Sequence, residues 1–404
     1  MIRPPAALRH TAMLSLLAAA VPPAAAHAET PGVRVGPVDL KPYLLLQLDE
    51  GGTFNQNRDG GQATGFNTRR ARLGAEATIA NQVEVGVVYD FGSAPGSNSK
   101  FFEADIAYTG LDPFVVRAGI FKPAFTLEYA QSAADTLFLE RASIVNIVGG
   151  LVAGAGRTGA QVGANGDRWF AAAFLTGGTN GPGAGSDQRA VLGRVAGLAI
   201  KTDAVSLHLG ASGAWLYQVP RGGDGQHVLS FSDQPELQID TADASLSTGS
   251  LNATGARMGG FEAGLSWNRL WVQAEWYGLR TDRSGGAGRD LFFSGEYVQA
   301  AYTLLGHPRQ WKPKIAAWGS PSPAEAFNPL AGQWGAVEIA ARFSAVDLSD
   351  ADFRGGRQTV WAAGASWYPL DPLKFTLQYQ HADVTAVVAP RQLDAVALRG
   401  QIRF

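Results

Sequence analysis

The chain has 404 residues, no cysteine, 17% charged residues and a formal net charge of −2. That balance leaves no basic footprint for nucleic acid, and a chain of this length can bury a core without disulfides. Beyond the N-terminal segment no stretch approaches the roughly eighteen apolar residues of a helical membrane span, so the chain either folds in water or crosses a membrane as a closed barrel.

The N-terminus, MIRPPAALRHTAMLSLLAAAVPPAAAHAET, carries Arg3 and Arg9, an apolar run from about Ala12 to Val21, and Ala26-His27-Ala28. A charged start, a short apolar centre and an A-x-A site predict a secretory signal over residues 1–28. Residues 29–404 are then one exported domain.

From there the chain alternates apolar and polar residues, the period of strands, and no long segment carries a helical period. The alternation places strands at about 38–49, 65–79, 82–91, 101–109, 114–121, 156–164, 167–176, 190–200, 204–217, 256–267, 270–280, 290–304, 333–347, 357–368, 372–383 and 391–404. These sixteen are an even number, and most have the length a tilted strand needs to cross a bilayer. The links alternate short and long. Short ones are Ala80-Asn81-Gln82, Gly110-Leu111-Asp112-Pro113, Asn165-Gly166-Asp167, Thr202-Asp203, Asn268-Arg269 and Pro369-Leu370-Asp371-Pro372. Long ones lie near 50–64, 92–100, 122–155, 177–189, 218–255, 281–289, 348–356 and 384–390. Short turns at one end and long loops at the other are the pattern of an outer-membrane barrel. The stretch 305–332 falls where a short turn belongs, and reads as a missed strand pair or an atypical excursion.

The apolar face carries Trp361, Ala363, Ala365 and Trp367 on one strand, Phe375, Leu377 and Tyr379 on the next, and Leu270, Val272, Ala274 and Trp276 on another. Aromatics near strand ends with aliphatics between them fit a lipid-facing band. The opposite face carries Thr376, Gln378 and Gln380, Gln273 and Glu275, and Ser266 and Asn268, so it borders water. About sixteen strands leave room for a channel rather than a filled interior. The last strand, AVALRGQIRF, closes the barrel and sets Phe404 against lipid at the rim.

Catalytic signatures are weak. Gly154-Ala155-Gly156-Arg157-Thr158-Gly159 matches a dinucleotide-binding pattern but leads into a strand rather than a helix. His208, His227, His307 and His381 have no ligand spacing, and no evident serine partners His208 or His381, which disfavours a barrel-type lipase. Asp347, Asp350 and Asp352 cluster without the glycine and terminal glutamate of a calcium loop, and read as a solvated outer loop. No catalytic residue, metal or cofactor is expected. On the inward faces stand Arg70, Arg72, Arg117, Arg342, Lys374, Arg399 and Arg403, against Glu76, Glu84, Asp90, Glu103, Glu262, Glu275 and Glu338. Arginine's planar fork suits phosphate, yet the two counts balance, so the residues alone predict a charged, water-filled lumen without a preferred sign.

Several segments resemble the phosphate-selective porin O and P family. Phe66-Asn67-Thr68-Arg69-Arg70-Ala71-Arg72-Leu73-Gly74 is similar to its early F-x-x-R-R-A-R-L-G strand. RAGIFKPAFTLEYAQSAADTLFLERA, Arg117 to Ala142, is similar to its G-x-F-K-x-P-F segment running into E-R. QWGAVEIAARFSAVDLSD and GGRQTVWAAGASWYPLDPLKFTLQYQHADV resemble its C-terminal signature. The resemblance implies an all-β transmembrane antiparallel β-barrel of sixteen strands, usually a homotrimer in the outer membrane, whose third outer loop folds inward, here about 122–155. It implies passive diffusion of small anions, phosphate or polyphosphate, past arginines and lysines. It adds Lys122 and Arg141, at the family's F-K and E-R positions, to the pore-lining candidates. Alternation turns Arg70 and Arg72 inward, and Arg69 outward unless the strand end twists it round. The terminal Phe404 strand resembles the signal that such proteins present to the outer-membrane assembly machinery. The chain departs from the phosphate pattern in having only about seven lysines, so a general porin or a closed surface-binding barrel stays open.

Overall fold

The computed structural model describes residues 32–54, 63–92, 100–179, 187–221, 225–239, 246–284, 288–385 and 390–404. The predicted signal, 1–28, lies outside them. Sixteen long antiparallel strands form the wall: β1 (Val38–Phe54), β2 (Ala63–Ile79), β3 (Val83–Asp90), β4 (Lys100–Leu111), β5 (Phe114–Phe121), β6 (Arg157–Asn165), β7 (Trp169–Thr179), β8 (Arg189–Lys201), β9 (Val205–Gln218), β10 (Leu251–Trp267), β11 (Leu270–Arg283), β12 (Leu291–Leu305), β13 (Ala336–Asp350), β14 (Phe353–Leu370), β15 (Leu373–Thr385) and β16 (Pro390–Arg403). Each pairs with its sequence neighbours, and β1 pairs with β16 through Gln47↔Gln401 and Asp49↔Arg399. That pairing closes the sheet and removes both edges. All sixteen predicted strands are present.

Alternation decides the two faces, as the pleat requires. Outward positions are exposed and apolar, including Phe66, Leu73, Ile106, Val162, Leu209, Phe261 and Leu377. Water cannot satisfy backbone groups in lipid, and only a closed ladder meets that demand. Phe404 donates to and accepts from the main chain of Leu44, 3.0 and 3.2 Å away, with its ring about half exposed at the short-turn rim.

Two links depart from expectation. The one expected long at 348–356 is the two-residue turn Ala351-Asp352, because β13 and β14 run on as a tall hairpin; Ala351 takes a positive φ of 49° there. The stretch 306–335 hides no strand pair of the wall. It is an excursion with a two-residue ribbon, Trp311–Lys312 against Ala317–Trp318, and it enters the lumen from the short-turn end.

The inner face is not uniformly polar. Towards the short turns it carries the predicted Gln273, Glu275, Thr376, Gln378 and Gln380, all buried. Asn268 instead sits in the β10–β11 turn, at a positive φ of 54°. Towards the long links, inner residues of β9–β15 such as Met258, Leu279, Phe293, Val346 and Val384 join one apolar core with α2 (Ser143–Val152). That helix, SIVNIVGGLV, stands inside the barrel and fills part of it. Gly295 permits the fit, since a Cβ there would lie 2.9 Å from Ile144 Cβ.

Candidate functional site

Residues 122–156 leave β5 and cross the lumen, as predicted for the constricting loop. Thr126 caps the short helix α1 (Leu127–Ala130) by accepting from Tyr129 N at 3.0 Å. Glu275 on β11 accepts from the main-chain nitrogens of Leu127 and Glu128, at 2.6 and 2.9 Å. Further on, Lys374 donates to Thr136 O at 2.7 Å, Gln47 to Ala133 O at 3.0 Å, and Gln378 accepts from Leu139 N at 2.9 Å. Wall side chains thus satisfy the polar backbone of a loop that has no sheet of its own.

Four of the predicted basic residues serve this clamp and line neither of the two cavities described below. Arg342, fully buried, reaches Glu128 at 2.5 Å, Glu236 at 3.1 Å, Gln299 at 2.7 Å and Glu140 O at 2.9 Å. Arg399 forks onto Asp49 at 2.6 Å through Nε and Nη2 and donates to Leu139 O through Nη1. Arg403 holds Asp135 at 2.5 Å, and Lys374 is the Thr136 contact above. From the short-turn side, Arg309 forks onto Glu338 at 2.8 and 2.7 Å and donates to Asp135 O. Trp318 is buried against Trp271, Trp311 and His208. The link 219–250 adds Glu236, and Pro235 O accepts from Gln380 at 2.5 Å.

Two cavities lie mainly along β1–β6. A lower cavity of about 810 Å³ opens towards the short turns, and an upper cavity of about 250 Å³ towards the long links. Arg72, Phe102, Lys122 and Ala133 line both, so they mark the neck between them. The lower cavity has balanced charge: Asp39, Glu76, Glu84, Glu103 and Asp112 against Arg72, Arg117, Lys122, Lys312 and Lys314. The upper cavity does not. Arg69, Arg70, Arg72, Lys100, Lys122 and Arg141 face only Asp90 and Glu140.

Both carboxylates are already engaged. Asp90 accepts from Arg72 at 2.8 Å, and Glu140 meets Arg69 at 2.5 and 2.9 Å and Arg399 at 3.4 Å. Burial raises the Glu140 carboxyl, but Arg69, Arg70 and Arg399 outweigh it and hold the group below its usual range. Lys122 donates to Tyr129 O and Gln131 O at 2.6 and 2.8 Å, and Arg141 to Glu128 O and Gln131 O, both at 3.1 Å. Among the described residues neither meets a carboxylate at ion-pair distance. Burial, then the guanidiniums of Arg141, Arg72 and Arg70, holds the Lys122 ammonium well below its usual value. Extra negative charge entering this space would relieve that cost.

Of the nine predicted lining residues, the structure therefore brings Arg70, Arg72, Lys122 and Arg141 together. Arg117 lines the lower cavity, paired to Glu103 at 2.6 Å and Asp105 at 2.9 Å. Arg69 and Lys100 escaped strict alternation. Arg69 was expected to face outward, and the structure corrects this: Gln47 pairs with Arg70 and Leu48 with Thr68, so Arg69 is the extra residue of a bulge and turns inward. A second bulge skips Phe102 between Val88↔Glu103 and Tyr89↔Phe101. It brings Lys100 and Phe102 inside, and Phe102 lies 3.6 Å beneath the Arg72 guanidinium. Bulges re-aim side chains beside functional sites.

A closed sixteen-strand barrel with a loop clamped inside its lumen is an outer-membrane channel of the porin class. The chain belongs to the phosphate-selective porin O and P family, which matches residues 41–404. It is 24% identical to Porin O of Pseudomonas aeruginosa over 82% of this chain and 79% of that one. It is 28% identical to an uncharacterized protein of Caulobacter vibrioides over 83% of this chain, spanning 66% of that relative's length. Among solved structures, the fold is similar to outer-membrane OmpT of Vibrio cholerae, with a TM-score of 0.57 at 10% identity over 92% of this chain and all of that one. It is also similar to an anion-selective porin from Comamonas acidovorans, with a TM-score of 0.53 at 12% identity over 91% of this chain and all of that one.

Proposed function

We propose that this porin passes small anions by passive diffusion, with inorganic phosphate or polyphosphate as favoured cargo. The observation that carries the reading is the upper cavity, where six basic side chains face two carboxylates that are already paired. A funnel with one dominant sign concentrates counter-ions before the neck, and arginine forks match phosphate oxygens. Arg69, Arg70, Lys100 and Arg141 line the path above the neck, Arg72 and Lys122 stand at the neck itself, and Arg117 receives the anion below. Arg342, Lys374, Arg399 and Arg403 act indirectly, by holding the loop that shapes the path. The lower cavity, with its balanced lining, sets size rather than sign.

The family name and the anion-selective Comamonas structure support this reading. A trimer form of the Vibrio OmpT supports a homotrimer. In this reading the trimer sits in outer-membrane lipid, and the alternating strand that ends in Phe404 is what the chain presents to the assembly machinery. The test is phosphate block of chloride current through the reconstituted protein. Phosphate should reduce chloride conductance in a saturable manner in the natural chain, and Lys122→Gln or Arg141→Gln should weaken that block severalfold. Chloride current indifferent to phosphate would remove phosphate as cargo.

A further inference from the structure

The glycine-rich run Gly154-Ala155-Gly156-Arg157-Thr158-Gly159 joins α2 to β6, the reverse of the strand-to-helix order that a dinucleotide site needs. Its glycines serve a tight return of the chain. Gly156 takes a positive φ of 73°. A Cβ on Gly154 would lie 3.2 Å from Gly150 O and 3.5 Å from Arg157 Nε, so a bare main chain there lets the guanidinium fold back over the helix end.

A helix leaves its last four carbonyls without partners of its own. In α2 all four are met. The Ala153 N–H donates to Gly149 O at 2.7 Å. Arg157 Nη2 donates to Gly150 O at 2.8 Å, Gln188 Nε2 to Leu151 O at 2.7 Å, and the Thr176 hydroxyl to Val152 O at 2.8 Å. These three buried side chains come from β6, from the residue before β8, and from β7. Arg157 Nη1 also donates to Gly177 O on β7 at 2.9 Å, which rivets the helix end to the wall. The helix SIVNIVGGLV carries no charge in its last turn, and a cation is favoured at that end of the dipole. Arg157 supplies it from outside the helix. Among the described residues it meets no carboxylate at ion-pair distance; its partners are carbonyls.

The pinned turn is a wall of the upper cavity. Asn146 and Gly150 of α2 and Ala155 of the return line that space together with Arg70, Arg72 and Lys100. A Cβ on Gly150 would meet nothing within 4 Å, so this turn borders open space. We propose that Arg157 is a positioning residue of the anion path: with Thr176 and Gln188 it pins the last turn of α2 and so fixes the width of the upper cavity. The inference rests on the reading of that cavity as the anion path. Arg157 does not line the cavity, so it acts through the helix rather than on the cargo.

The test uses the full-length protein reconstituted in a planar bilayer, with three readouts. These are the largest neutral polyethylene glycol that enters from the long-link side, the phosphate concentration that half-blocks chloride current, and amide exchange of residues 143–153 in detergent. Arg157→Met should admit polymers at least twice as massive, raise the half-blocking concentration at least fivefold and speed exchange at least tenfold, with β13 and β14 unchanged. Arg157→Lys keeps a donor and the charge, and should return all three to within twofold of the natural chain. Thr176→Val/Gln188→Met removes two caps but leaves the Arg157 charge. It should shift the polymer limit and the exchange in the same direction, and it decides the matter if Arg157→Met does not fold. A weaker block in Arg157→Met with an unaltered polymer limit would mean that the charge acts directly on the anion, and would overturn the proposal. So would unaltered exchange, or a double variant indistinguishable from the natural chain. Absence of phosphate block in the natural chain would defeat the cargo reading instead, while polymer limit and exchange would still decide whether Arg157 positions the helix.

Discussion

Replacing Arg342 with Met tests whether the constricting loop is held by buried charge. The guanidinium is fully buried and joins Glu128 of the loop, Glu236 of the 219–250 link and Gln299 of β12. Its loss leaves two buried carboxylates short of a partner. Glu128 keeps the Ala142 N–H at 3.0 Å, and Glu236 keeps the Ser143 N–H at 3.0 Å and the Ser344 hydroxyl. Removing one partner of a buried pair costs about 3–5 kcal/mol. At about 1.4 kcal/mol per tenfold, undocking of residues 127–152 becomes roughly 150- to 5,000-fold more frequent. Amide hydrogen exchange read by mass spectrometry, in detergent and corrected for intrinsic rates, should show that gain in these peptides, with β2 and β14 unchanged. Burial already raises the Glu236 carboxyl despite Arg342. Without the guanidinium the docked form favours a protonated Glu236 carboxyl still more, so protection should return as pH falls. Exchange within threefold of the natural chain, at every pH, would refute the claim that Arg342 fastens the loop.

Other perturbations follow from the same geometry. Asp233 faces Asn146 of α2, and burial pushes its carboxyl up to about 8. Docking of that link therefore takes up a proton, is strongest below pH 4 and weakens as pH rises towards 8; Asp233→Asn should flatten the trend in the exchange of residues 228–239. Trp318→Ala removes the buried anchor of the 306–335 excursion, at a cost of about 3–5 kcal/mol, and should raise single-channel conductance by opening the short-turn mouth. Gly295→Val would drive a side chain into Ile144 and should release α2, seen as new proteolytic cleavage within 143–156 of an otherwise folded barrel.

Much of the fold was legible because the bilayer imposes a strict period. Each strand announces itself through alternation, and Trp361, Trp367, Phe375 and Tyr379 mark the lipid face without tertiary knowledge. The interior was less legible. Met258, Leu279 and Phe293 meet the apolar α2 rather than water, a contact made far from them in sequence. The basic residues divided by what faces them: Arg342 and Arg399 met carboxylates of loops and wall, whereas Lys122 and Arg141 met main-chain carbonyls and the Tyr129 ring. Arg69 and Lys100 were hidden by single inserted residues, since a bulge reverses the phase that alternation reads. Lys122 and Arg141, on a loop with no period, came from family likeness alone.

The most direct test of the account is the zero-current potential of the purified protein in a planar bilayer under a tenfold KCl gradient. The account predicts an ion-conducting channel whose potential carries the sign of chloride selectivity, reduced by Lys122→Gln combined with Arg141→Gln. A potassium-selective potential, or no conductance from folded protein, would contradict it.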